Sequence, residues 1–191
     1  MGFNVDGLVE GLGIFYYVLV YGVGICAMAS AFISYQFERR ATILLFNYFA
    51  QMLWITYFLL QADVSSAIAC AITSLALITY SRKGKWKWVS SKITLAVCVL
   101  IIAGTTLTSF KVWSDIFPVL GSTCAVLSYS RTKENELRAL SLACYLFWFC
   151  NSLFKMYPVA LISDFTSITS VVISLIRYRK KAKKIVENSH I

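Results

Sequence analysis

The segment YPVALISDFTSITSVVISLIRYRKK, residues 157–181, opens on a proline, ends in a basic cluster and carries one carboxylate, Asp164, inside its apolar run. Read as a helix, it places Asp164 about 9 Å beyond Pro158, too deep for so short a side chain to snorkel. A lone carboxylate at that depth costs about 2.5–3.5 kcal/mol on insertion scales, so it must face protein or water. Ala160, Ser163, Ser167, Ser170 and Ser174 recur at spacings of three and four and form a small, polar stripe beside it. Two readings follow. The stripe is a tight helix interface with Asp164 hydrogen-bonded inside it, or it lines a cavity in which Asp164 engages a cation, a proton or a substrate hydroxyl.

Trp54 and Trp148 are the next candidates. A tryptophan offers a flat apolar face and one N–H donor, and two of them could sandwich a ring or a sugar; core packing is the alternative. Asn47, Gln51, Tyr57 and Asn151 fall within about two helical turns of these indoles. Asn151 reads as a pocket residue. Asn47 and Gln51 read equally as amides seeking partners across helices. Pro118 and Gly121 read as a kink and a close helix contact, with a hinge as the functional alternative. Ala27-Met28-Ala29-Ser30-Ala31 gives a small face for packing.

These residues must be positioned by membrane helices. The chain is 59% hydrophobic, only 14% charged and has a mean hydropathy of +0.70, where a soluble domain carries about 25% charged residues. The N-terminal MGFNVDGLVEGLG has no basic region before its apolar run, which predicts a retained helix rather than a cleaved signal peptide. The six cysteines, at 26, 70, 98, 124, 144 and 150, lie in apolar runs without CxxC pairs and read as packing residues. The only histidine, His190, is in the tail. With no metal set, no nucleophile–base pair and no phosphate-binding glycine loop, the sequence argues against an enzyme, a cofactor or an ATP-driven pump.

Seven spans are expected: Leu12–Tyr35, Ala41–Gln61, Val64–Tyr80, Val89–Phe110, Ser114–Tyr129, Leu137–Lys155 and Pro158–Arg177. The fifth is weakest, since it holds Asp115 and Pro118. With the N-terminus outside and the C-terminus inside, sixteen of the eighteen Lys and Arg residues fall on the inner side, leaving Lys111 and Lys155 outside, as the positive-inside rule requires. The tail RYRKKAKK and the loop SRKGKWKW then set topology against the lipid headgroups, with Trp86 and Trp88 at the interface; no nucleic-acid partner is needed to explain the net charge of +9.

The chain also matches itself. Ile33-Ser34-Tyr35 and Leu127-Ser128-Tyr129 each precede a basic loop at an offset of 94, and Trp54 maps onto Trp148 at the same offset. Ile78-Thr79-Tyr80-Ser81-Arg82-Lys83 matches Ile176-Arg177-Tyr178-Arg179-Lys180-Lys181 at 98, implying four inserted residues. Spans 1–3 and 5–7 are therefore candidate copies in one orientation, a parallel repeat joined by span 4. The division is residues 1–83 for the first bundle, 84–110 for the connector, 111–180 for the second bundle and 181–191 for a basic tail.

This plan resembles the SWEET, SemiSWEET and PnuC class of small-solute facilitators. More narrowly, the chain resembles the YgjV-type bacterial inner-membrane proteins. The likeness rests on Glu38-Arg39-Arg40, Phe117-Pro118-Val119-Leu120-Gly121, Trp148 placed 16 residues before Asp164, and Ile176-Arg177-Tyr178. It departs from that pattern at Phe149-Cys150-Asn151 and at Val171. The resemblance implies a multi-pass protein of the bacterial cytoplasmic membrane that moves a small polar or aromatic solute. The site would be formed by Trp54, Trp148, Asn151, Asp164, Asn47 and Tyr57, with Pro118 and Gly121 as hinge residues. A substrate-capturing subunit with an energising partner, or a scaffold without cargo, are the alternatives. The expected partners are the solute and membrane lipids; self-association into a homo-oligomer stays open.

Overall fold

The computed structural model describes residues 11, 13–82, 89, 91–109 and 112–188 of the 191. The first ten residues, Leu12, Trp86, Trp88, Lys111 and His190 lie outside them, as does most of the SRKGKWKW loop. The described residues form seven α-helices and no strand: α1 Ile14–Ser34, α2 Arg40–Leu60, α3 Val64–Ser81, α4 Lys92–Ser109, α5 Ile116–Ser130, α6 Glu134–Phe154 and α7 Pro158–Asn188. A short 3₁₀ turn, Trp113–Asp115, leads into α5. Helices α1, α2, α3, α6 and α7 are each long and apolar enough to cross a membrane, by length and composition. The fifteen residues of α5 reach about 22 Å, and α4 carries the apolar stretch Ile93–Gly104. Helix α7 does not stop at Arg177; it runs on through the basic cluster.

Among the described residues the surface is rich in large apolar side chains, and the interior mixes apolar residues with many polar ones. Phe15, Val18, Phe49, Leu75, Leu100, Leu146 and Phe165 point outward and are exposed, while Asn47, Ser66, Thr73, Ser128, Ser141, Asn151, Ser167 and Ser170 are buried. This inverts the arrangement that water imposes, and it suits lipid, where each polar group must find a partner within the protein. The principal helix contacts run α1–α2, α2–α3, α3–α5, α5–α6, α6–α7 and α7–α1, a closed ring. Helix α4 packs outside this ring, against α3 and α5.

The offset of 94 recurs in the backbone. Helices α2 and α6 begin at Arg40 and Glu134 and end at Leu60 and Phe154, and α3 and α7 begin at Val64 and Pro158. Both α2 and α6 end in a Schellman turn. The Asp63 N–H donates to the Phe58 carbonyl at 2.9 Å, and the Tyr157 N–H donates to the Ser152 carbonyl at 3.0 Å. Each turn puts a non-glycine residue, Ala62 or Met156, at φ 55°. Internal side-chain bonds repeat too. Asn47 Nδ2 donates to Ser34 Oγ and to the Ile43 carbonyl; ninety-four residues on, Ser141 Oγ bonds Ser128 Oγ and the Leu137 carbonyl.

Pro118 is not at a mid-helix break. It is the third residue of α5, in the first turn, where the missing N–H would have had no intrahelical acceptor, so no kink is required. Gly121 does make the expected close contact. A Cβ there would lie 2.8 Å from both Cδ1 and Nε1 of Trp148, so the glycine is the seat of that indole.

Candidate functional site

The ring encloses a cavity of about 40 Å3, walled by all six ring helices and not by α4. Along α2 it runs from Asn47 to Phe58, about 16 Å of helix axis. Sixteen of its seventeen lining residues form eight pairs 94 positions apart, among them Tyr35 with Tyr129, Asn47 with Ser141, Trp54 with Trp148, Phe58 with Ser152 and Cys70 with Asp164. The pairing is close to chemical identity at the tyrosines and tryptophans. It is most unequal at Cys70 and Asp164, so the one acidic group sits on a single wall.

Asp164 is 8% exposed. Its Oδ2 accepts from Ser152 Oγ at 2.6 Å, and among the described residues no cation comes within salt-bridge distance of it. The serine stripe divides between the two readings. Asp164 and Ala160 face the cavity. Ser170 Oγ instead donates to the Phe32 carbonyl of α1 and accepts from Gln36 Nε2, sealing the α1–α7 interface.

The tryptophans meet through an intermediary. Phe58 stacks on Trp54 at 5.7 Å and on Trp148 at 5.7 Å, with interplanar angles of 29° and 22°. The slot in which two indoles could have held a ring is thus occupied by Phe58. Asn47 lines the cavity with its amide donors already engaged. Gln51 also lines it, and its buried Oε1 has no partner. Tyr57 and Asn151 lie behind the wall. Tyr57 is fully buried, packed on Trp54 and beneath Gly24, with its hydroxyl unpartnered. Asn151 reaches Ser66 Oγ at 3.5 Å and leaves its buried Oδ1 unpartnered.

The lining also contains residues that sequence reasoning passed over: Tyr35, Tyr129, Tyr145, Phe58 and Ser152. A signal for two of them was present, since Tyr35 and Tyr129 close the matching tripeptides Ile33-Ser34-Tyr35 and Leu127-Ser128-Tyr129.

Beyond the Phe58 and Ser152 end of the cavity is a buried ionic cluster. Lys155 Nζ, in the α6–α7 turn, lies 2.9 Å from Asp63 Oδ2 and 2.8 Å from Asp115 Oδ1. Ser65 Oγ stands 3.0 and 3.1 Å from the same two carboxyls, and Asp63 also caps α3 through the Ser66 N–H and Oγ. Burial first, and then the adjacent Asp63 carboxylate, hold the Tyr157 phenol above its ordinary range. The sequence placed all three charges near one face of the membrane but gave no sign that they meet. At the opposite end, Arg40 donates to the carbonyls of Tyr80, Tyr129 and Arg131, tying the start of α2 to the ends of α3 and α5. Arg138, counted among the inner-side basic residues, is buried; it donates to the Phe37 carbonyl and lies 4.2 Å over the Tyr178 ring.

A family model described as Imp-YgjV, bacterial inner membrane protein, matches residues 18–182. The chain belongs to this family. It is a multi-pass protein of the bacterial inner membrane, in keeping with its several long apolar helices. Among curated proteins and among solved structures, no match was found. The Imp-YgjV match spans the ionic cluster, the Arg40 contacts, the whole cavity lining and α4, so the paired cavity lies within the matched region.

Proposed function

We propose that the protein is a transporter or facilitator of a small polar or aromatic solute, which occupies the central cavity and is exposed alternately to the two sides of the membrane. The moving parts would be two three-helix halves, α1–α3 and α5–α7, related by an axis along the membrane normal and joined by α4, with the N-terminus outside and the C-terminus inside. The observation that carries this reading is the cavity lining: six helices contribute to one hollow, and nearly every contributing residue has its counterpart 94 positions away. A scaffold needs no central polar hollow, and burying unpartnered polar atoms around one costs stability.

In this scheme the Lys155–Asp63–Asp115 cluster and the Arg40 contacts are the two closures. The first joins the α2–α3 turn, the α6–α7 turn and the approach to α5; opening that end would separate them. Asp164 would couple flux to protons, and a pH-insensitive flux that survives Asp164→Asn would remove that role. The deciding experiment reconstitutes the purified protein in sealed vesicles and offers labelled sugars, nucleosides and vitamins. Uptake above empty vesicles without any partner is the expected result. Tight binding without uptake would make the chain a capture subunit, and neither would leave a scaffold.

A further inference from the structure

Resting on the reading of the cavity as a solute site, we infer that its preferred ligand is a small organic cation: a protonated amine or quaternary ammonium carried on an apolar or aromatic body. The lining contains no lysine, arginine or histidine and one carboxyl group, Asp164. It also contains six aromatic rings, from Tyr35, Trp54, Phe58, Tyr129, Tyr145 and Trp148. Aromatic faces attract a desolvated cation through the ring quadrupole, tryptophan most strongly. An anion would find no cationic group on any wall to receive it.

The hydrogen-bonding inventory points the same way. Asp164 accepts from Ser152 and no cation neutralises it among the described residues. Gln51 adds a buried oxygen with no donor. Both groups can accept from an ammonium N–H. Because the position equivalent to Asp164 is Cys70, the cavity offers one acidic pole. A ligand with one cationic end fits it, and a symmetric dication does not.

The test compares tryptamine with tryptophol, which differ in carrying an ammonium or a hydroxyl on the same indolylethyl body. Binding to the purified full-length protein in detergent at neutral pH is followed by thermal stabilisation and by calorimetry, with tetramethylammonium and indole-3-acetate as further probes. Tryptamine is expected to bind at least about tenfold more tightly than tryptophol, tetramethylammonium to compete with it, and indole-3-acetate to be silent. In Asp164→Asn the preference should shrink to about twofold or less, whereas Asp164→Glu should keep it. The wild-type comparison stands even where a variant fails to fold. Equal or reversed affinities for tryptamine and tryptophol overturn the cation preference. Saturable uptake of a neutral sugar or nucleoside would then leave the transport reading intact. No binding of any probe, together with no uptake, overturns both.

Discussion

Replacing Lys155 with methionine tests the ionic cluster directly. An exposed ion pair contributes about 0–1 kcal/mol, but this lysine is 13% exposed and its partners Asp63 and Asp115 are 6% and 3% exposed. Methionine has nearly the same length and no charge, so the substitution leaves little cavity and removes the ammonium from two carboxyls at 2.9 and 2.8 Å. Removing one member of a buried ion pair costs about 3–5 kcal/mol, because charge is left behind without compensation. At about 2–4 °C per kcal/mol for a chain of this size, Tm should fall by roughly 6–20 °C. Burial also predicts that the loss is nearly independent of salt, since ions cannot screen what they do not reach. The measurement is thermal unfolding of the detergent-purified protein followed by tryptophan fluorescence, at low and high salt. The companion variant Lys155→Met/Asp63→Asn/Asp115→Asn removes the stranded charge while keeping an asparagine able to cap α3; it should recover most of the loss. A fall of less than about 2 °C, or a triple variant no more stable than the single one, would refute the account of the cluster as a buried, mutually dependent set.

Gly121→Ala drives a methyl group to 2.8 Å from the Trp148 indole; it should cost about 1–3 kcal/mol as overpacking and shift the tryptophan emission, and an unchanged Tm would show that the indole is free to move. Met156→Gly relieves a side chain from φ 55° at an exposed position and should stabilise by about 0.5–1 kcal/mol, read as a small rise in Tm; a fall in Tm would mean that the turn is not strained. The raised Tyr157 phenol makes a stability contribution that is complete below the unfolded value of about 10 and lost as pH climbs above it; Tyr157→Phe should flatten the fall of Tm between about pH 10 and 11 by up to roughly 1.4 kcal/mol per pH unit, and equal slopes would count against it. For the proposed orientation, a C-terminal alkaline phosphatase fusion should be inactive and a C-terminal fluorescent-protein fusion bright; the reverse would invert the topology.

Sequence periodicity and charge were enough to delimit the helices, because lipid imposes a simple rule: about 20 apolar residues per crossing, with basic residues at the ends. The start of α3 at Val64 and of α7 at Pro158 match the expected spans, and α2 differs from its own by a single residue at each end. Asp164 was legible as an inward-facing group because a carboxylate at that depth has few places to go. The offset of 94 was visible at Tyr35, Tyr129, Trp54 and Trp148. What that offset means for the cavity was not visible, since a repeat in sequence does not say which faces meet.

Contacts between helices distant in sequence were decided by packing alone. Phe58 fills the slot between Trp54 and Trp148 because α2 and α6 approach across the ring, a distance that no spacing encodes. Asn151 and Tyr57 sit three residues from the tryptophans, only about 60° around the helix, yet the packing of neighbouring helices leaves them out of the lining. Asp63, Asp115 and Lys155 are individually unremarkable charges near helix ends; ring closure puts both carboxyls within 3 Å of the lysine and buries the set. The chain alone determined that this is a bundle of membrane helices with one acid inside it. Three-dimensional closure of the ring decided which side chains share the interior with that acid, because the pairing of helix faces depends on the fit of all six helices at once.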